Sequence, residues 1–161
     1  ALRISGHGEH SRAGDAVRLL LDRQIPSGGW NYGNTAVFGQ ELRPMPETTG
    51  MALQALAGLV PKAAVERSMD YLKSEIEHLN APMSFAWGTL GLGAWGETVE
   101  RREDRILEIL GRQESYGPYD TVSLSLLLLA FRENIHNTIN GLCCRIGMKG
   151  CKHQVSGFCN G

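Results

Sequence analysis

An all-α fold of helical hairpins stacked side by side is what this chain of 161 residues predicts. Three observations carry that reading. Amphipathic segments alternate with segments that are apolar nearly all round. A glutamine, a glycine and an aromatic residue recur at matching offsets in two of the turns between them. Hydrophobic residues make up 42% of the chain and charged ones 20%, the balance of a globular domain with a core. At this length one domain with a substantial interior is expected.

The amphipathic segments come first in each pair. Asp15 to Arg23 places Ala16, Leu19 and Leu20 on one face. Ala63 to Leu79 places Val65, Met69, Leu72, Ile76 and Leu79 at steps of four and three. Arg102 to Arg112 groups Ile106, Ile109 and Leu110. Charged residues fill much of the other faces, so each predicts a helix with one buried stripe. The partners are "TTGMALQALAGL" (48–59), "SFAWGTLGLGAW" (84–95) and "TVSLSLLLLAF" (121–131). With almost no charge, these predict helices buried on most sides. Thr48 or Thr49, Ser84 and Thr121 offer hydroxyls for N-caps.

Anchoring the amphipathic helices on Leu20, Leu72 and Ile109 gives spacings of 52 and 37 residues. Gln24 and Gln113 each follow their anchor by four residues. Gly28 and Trp30 follow Gln24 at the offsets by which Gly117 and Tyr119 follow Gln113. Hairpins that cannot bury their own faces stack on their neighbours, with the apolar helices inside and the amphipathic ones outside. In "RQIPSGGWNYGN" (23–34), Gly28 and Gly29 permit the tight reversal. Gln24 can bond exposed helix-end groups, and Trp30 can pack its ring against the corner and donate its indole N–H.

A net charge of −1 gives no bulk electrostatic case for nucleic acid or an anionic membrane. The longest apolar run, Leu126 to Phe131, is too short to span a bilayer. Residues 1–14 are polar and read as no signal peptide, which favours a cytoplasmic setting. The first residue is Ala1, as expected of a processed or partial product. All four cysteines, Cys143, Cys144, Cys151 and Cys159, fall in the last 19 residues. Their spacing lacks a Cys-x-x-Cys knuckle, so no metal site is expected from them or from His7, Glu9 and His10. The expected organisation is a polar segment 1–13, helical repeats 14–132, and an irregular basic tail 133–161.

"LLLDRQIPSGGW" (19–30), with the weaker "EILGRQESYGPY" (108–119), resembles the QW repeat of the squalene–hopene and oxidosqualene cyclases. "ETTGMALQALAGL" (47–59) and "YDTVSLSLLLLAF" (119–131) resemble the inner helices that follow that repeat. Protein prenyltransferase β subunits and complement-type thioester domains share the α/α-toroid. The resemblance covers roughly residues 14–132 and implies an incomplete α/α-toroid of about three stacked hairpins. A complete ring in the family has five to seven.

The family implies an apolar cavity, often for an isoprenoid. Its cyclases protonate an alkene or epoxide with a carboxylic acid kept protonated by its neighbours. The Asp-x-Asp-Asp cluster that does so is absent: the aspartates are Asp15, Asp22, Asp70, Asp104 and Asp120. The prenyltransferases hold zinc through an aspartate, a cysteine and a histidine with an Asp-x-Cys signature, and residues 14–132 contain no cysteine, so that site is absent, as is the thioester Cys-Gly-Glu-Gln stretch. No cofactor is expected. Asp120 and Glu47, each just before an inner helix, are the candidate catalytic acids, with an N-terminal cap as the competing role. Phe85, Trp87 and Trp95 are the candidate ligand-binding rings. Gln24, Gly28, Gly29, Trp30, Gln113, Gly117 and Tyr119 are the expected structural corner.

Two functions compete. One is a cyclase- or prenyltransferase-like repeat domain that handles an isoprenoid or other apolar ligand without being a complete catalyst. The other is a non-catalytic interaction or structural module, whose exposed inner face takes a protein partner or a second copy that completes the ring.

Overall fold

A computed structural model describes residues 10–132. Its elements are α1 (Ser11–Asp22), a hairpin of β1 (Ala36–Val37) and β2 (Gln40–Glu41), α2 (Pro46–Leu56), a 3₁₀ turn (Lys62–Ala64), α3 (Glu66–Ile76), α4 (Pro82–Gly93), α5 (Arg102–Gly111), α6 (Gln113–Tyr116) and α7 (121–132). The described residues are therefore mostly helical, and the apolar stretches at 48–59, 84–95 and 121–131 are helical over most of their length. The tail 133–161, with its four cysteines, lies outside the described residues, as do His7 and Glu9.

The interior is built around α4. Phe85, Ala86, Gly88, Thr89, Leu90, Gly91 and Leu92 are all buried, so no face of this helix is wet. It lies directly against α2, whose Thr49, Gly50, Ala52, Leu53 and Leu56 are buried. Glycine sets the closeness of the approach. A Cβ on Gly50 would stand 2.2 Å from the Trp87 carbonyl oxygen, and one on Gly91 would stand 2.6 Å from the Gly50 Cα. Only hydrogen fits between these backbones. Val65, Met69, Leu72 and Ile76 of the α3 segment complete the core with Ile106 and Ile109 of α5, as their spacing predicts. Each such side chain, fully buried, stabilises the fold by about 1.5–3 kcal/mol.

Four local expectations are corrected. Helix α1 begins at Ser11, four residues early, and turns Val17, Leu20 and Leu21 to the core, while Ala16 and Leu19 are exposed. Its apolar stripe is wider than the surface that covers it. The expected hydroxyl caps do not form. Helices α2 and α4 start with Pro46 and Pro82, so Met45 and Ala81 hold the cap positions and Thr48, Thr49 and Ser84 fall inside the first turn. Thr48 and Thr49 instead bond the Trp30 backbone: Thr48 Oγ1 donates to its carbonyl at 2.8 Å, and Thr49 Oγ1 accepts from its N–H at 3.0 Å. The small sheet was not legible as strand. It closes around Phe38 and Gly39, both left-handed at φ 49° and 75°, the pattern of a two-residue hairpin turn. Finally, α7 is buried along one stripe only, Ser123, Leu126, Leu127 and Ala130. It was expected to be covered nearly all round.

Candidate functional site

The corner between α1 and α2 is a dense set of hydrogen bonds around a buried ring. Trp30 is 3% exposed. Its indole Nε1 donates to the Leu20 carbonyl of α1 at 2.7 Å. Beneath it, Gly28 and Gly29 take φ of 111° and 83°, conformations that L side chains rarely adopt. Ile25, 1% exposed, receives Gly28 N–H on its carbonyl and gives its own N–H to Gly29. Gln24 does not stay within its own hairpin. Its Nε2 donates to Ser68 Oγ of α3 at 2.7 Å, and Gly29 N donates to the same oxygen at 2.7 Å. Arg67 Nη1 reaches the Pro26 carbonyl, and Tyr71 OH the Pro44 carbonyl, each at 2.8 Å. Burial, then the Glu75 carboxylate, pushes the Tyr71 hydroxyl up to about 12, so it remains a donor across the physiological range.

The corner between α5 and α7 repeats the central bond. Tyr119 OH donates to the Ile109 carbonyl at 2.9 Å. Ile109 precedes Tyr119 by the same ten residues that separate Leu20 from Trp30. Here Gln113 folds back on its own corner: Oε1 accepts from Tyr119 N at 2.9 Å, and Nε2 donates to the Leu110 carbonyl at 3.1 Å. Gly117 makes the reversal at φ 89°.

The remaining candidates do not converge on one place. Asp120 is exposed and caps α7. Its Oδ1 accepts from Ser123 N at 2.7 Å, and Oδ2 faces Ser123 Oγ at 3.3 Å. The Ser123 backbone bond holds the carboxyl below its ordinary range. That keeps it an anion, the opposite of what protonating an alkene requires. Glu47 sits half-exposed in the first turn of α2, where its charge suits the helix dipole. Phe85 is fully buried, with the Arg105 guanidinium 6.0 Å from its ring centroid. Trp95 Nε1 donates to the Leu53 carbonyl at 2.8 Å, tying the end of α4 to α2. Trp87 is half-buried, and its buried indole N–H finds no partner among the described residues.

A cleft of about 360 Å³ runs between the α3–α4 turn and α5, lined in part by His78, Val99 and Arg105. It includes Phe85 but not Trp87, Trp95, Asp120 or Glu47. Among the described residues no three His, Cys, Asp or Glu side chains gather as metal ligands, and no helix is long and apolar enough to cross a membrane.

Sequence reasoning missed Ser68, the acceptor that links two hairpins. Its signal is a lone hydroxyl on the otherwise apolar stripe of α3. It also missed the outward side of α7, where Val122, Leu128 and Leu129 are 59%, 59% and 55% exposed. No family model matches the chain, and neither does any curated protein or solved structure.

Proposed function

We propose that this chain is a run of α/α hairpins of the cyclase and prenyltransferase kind that works by presenting apolar helix surface to a partner chain, not by supplying reacting groups. One observation carries the reading: α7 is apolar nearly all round but covered along a single stripe. A helix of that composition is suited to a buried place, and an uncovered apolar face of this breadth is the mark of an interaction surface. The state of Asp120 supports the same reading, since its carboxylate serves the helix start as an anion.

A second reading places an isoprenoid or other apolar ligand against the inner helices. The two aromatic-pinned corners favour it, because they carry the likeness to the QW repeat.

Native mass spectrometry of the chain expressed and purified with lipid extract tests both. The expected result is a protein–protein assembly that Leu128→Glu abolishes while the far-UV circular dichroism melt is unchanged. Isoprenoid adducts on a monomer would support the second reading instead. A bare monomer at micromolar concentration that also binds no bis-ANS would refute both.

A further inference from the structure

Helix α5 carries two arginines that are largely withdrawn from water, and their surroundings differ. Arg105 is held at both ends of its fork: Nη2 donates to the Leu79 carbonyl at 2.8 Å, and Nη1 donates to the Glu108 carboxylate. Arg102, one turn earlier, is 7% exposed and makes no side-chain hydrogen bond among the described residues. Its Nε is buried without a partner. The ion pair it does make, Nη2 to Glu103 Oε1, spans 3.6 Å, beyond hydrogen-bond reach. A buried guanidinium with none of its donors bonded is costly. Such a group in a folded chain calls for an acceptor from outside it.

Further donors gather at the same place. Arg102 lines a cleft of about 240 Å³ with Val99, Arg101, Glu103 and Asp104. The cleft sits at the start of α5, a helix of ten residues whose first turn no side chain caps. The N–H groups of Arg102, Glu103 and Asp104 therefore find no partner within the helix, and the helix dipole adds positive potential around them. Arg101, at the cap position, is left-handed at φ 47°. A left-handed residue followed by a helical one turns successive N–H groups to one side, which forms an anion-binding concavity.

The charges around the cleft decide the class of anion. Arg101 and Arg102 are matched in number by Glu103 and Asp104, whose side chains are 65% and 64% exposed. A phosphate dianion would meet both carboxylates without net positive charge to offset them. A carboxylate carries a single charge, and its two oxygens suit a planar guanidinium. We propose that the start of α5 binds a small carboxylate, its oxygens shared between the Arg102 guanidinium and the first-turn N–H groups. No residue lining the cleft belongs to α7, so this site stands or falls apart from the interaction surface proposed above.

Saturation-transfer NMR of propionate with the full chain tests it, and the readout works for a monomer and an assembly alike. Saturable binding in the millimolar range is expected. Arg102→Lys keeps the charge and loses the planar fork, so it is expected to weaken binding about tenfold. Glu103→Gln, at an exposed site, removes the carboxylate beside the guanidinium and is expected to tighten binding about threefold. Inorganic phosphate at the same concentration is expected to displace little propionate. Circular dichroism melts establish that each variant is folded. No saturable signal, or one that either folded variant leaves unchanged (an adventitious additive only), would overturn the site. If Arg102→Lys does not fold, an unchanged affinity in Glu103→Gln overturns it alone. Complete displacement of propionate by phosphate would overturn the choice of a carboxylate.

Discussion

The two aromatic corners make the same central bond and differ in what surrounds it. Trp30 and Tyr119 each donate to a carbonyl ten residues back. The first corner has a hairpin on its far side, and Gln24 reaches across to Ser68. The α5–α7 corner has no further hairpin beyond it among the described residues, and Gln113 turns inward to Tyr119 and Leu110. A polar side chain at a corner thus bonds whatever backbone or hydroxyl is nearest. What these two corners share is the aromatic pin. What varies is whether the glutamine links hairpins or merely closes one.

The comparison breaks most readily at its stronger end. Trp30→Ala removes a fully buried ring and strands the Leu20 carbonyl, so it is expected to cost about 3–5 kcal/mol in a denaturant melt. Tyr119→Ala, at a half-exposed ring, should cost clearly less. Equal losses would mean that the two corners bear equal load. Ser68→Ala takes the acceptor from two donors at once, one of them the buried Gly29 N–H, and is expected to cost about 1–3 kcal/mol. Gln113→Ala should lose less, because it leaves the junction between hairpins untouched. Tyr119→Phe isolates the pin itself and should cost about 0.5–1.5 kcal/mol by the same melt. A neutral result would show the hydroxyl bond to be incidental.

The smallest effect concerns a hydrogen-bonded ion pair. Glu97, on the loop after α4, pairs with Lys62 and Lys73, each at 2.7 Å. The Lys62 and Lys73 hydrogen bonds hold its carboxyl below the ordinary range. A depressed folded-state value contributes stability above the unfolded value and loses it as pH falls through the folded one. Glu97→Gln should therefore cost up to about 1 kcal/mol at neutral pH. The difference from wild type should vanish in acid, which paired melts at neutral and acidic pH would read. A gap that persists in acid would exclude the charge account.

Much of this was legible in the sequence wherever the physics is local. Helix α3 shows its buried stripe from Val65 to Ile76 because one period of four and three decides which side is wet. The first corner was legible too, since Gly28, Gly29 and Trp30 leave few geometries open. What escaped depends on partners far along the chain. Leu19 lies on an apolar stripe by spacing but is exposed, because exposure is decided by what packs on α1. Thr49 has the chemistry of a cap, and the arrival of the Trp30 backbone commits it elsewhere. Ser68 looked like a flaw in a stripe until the preceding corner supplied two donors for it. Asp120 could be read as acid or cap, and only the Ser123 bonds decide for the ionised cap.

The glycine contact between α2 and α4 has a mechanical consequence. With Gly50 set against the Trp87 carbonyl and Gly91 against Gly50, no cushion of side chains separates the two backbones. Such a joint cannot slide by a fraction of a turn without collision, so these helices are keyed and should exchange their amide hydrogens as a single slow block. Helix α7, gripped by one stripe, has no such key and should exchange faster than that block.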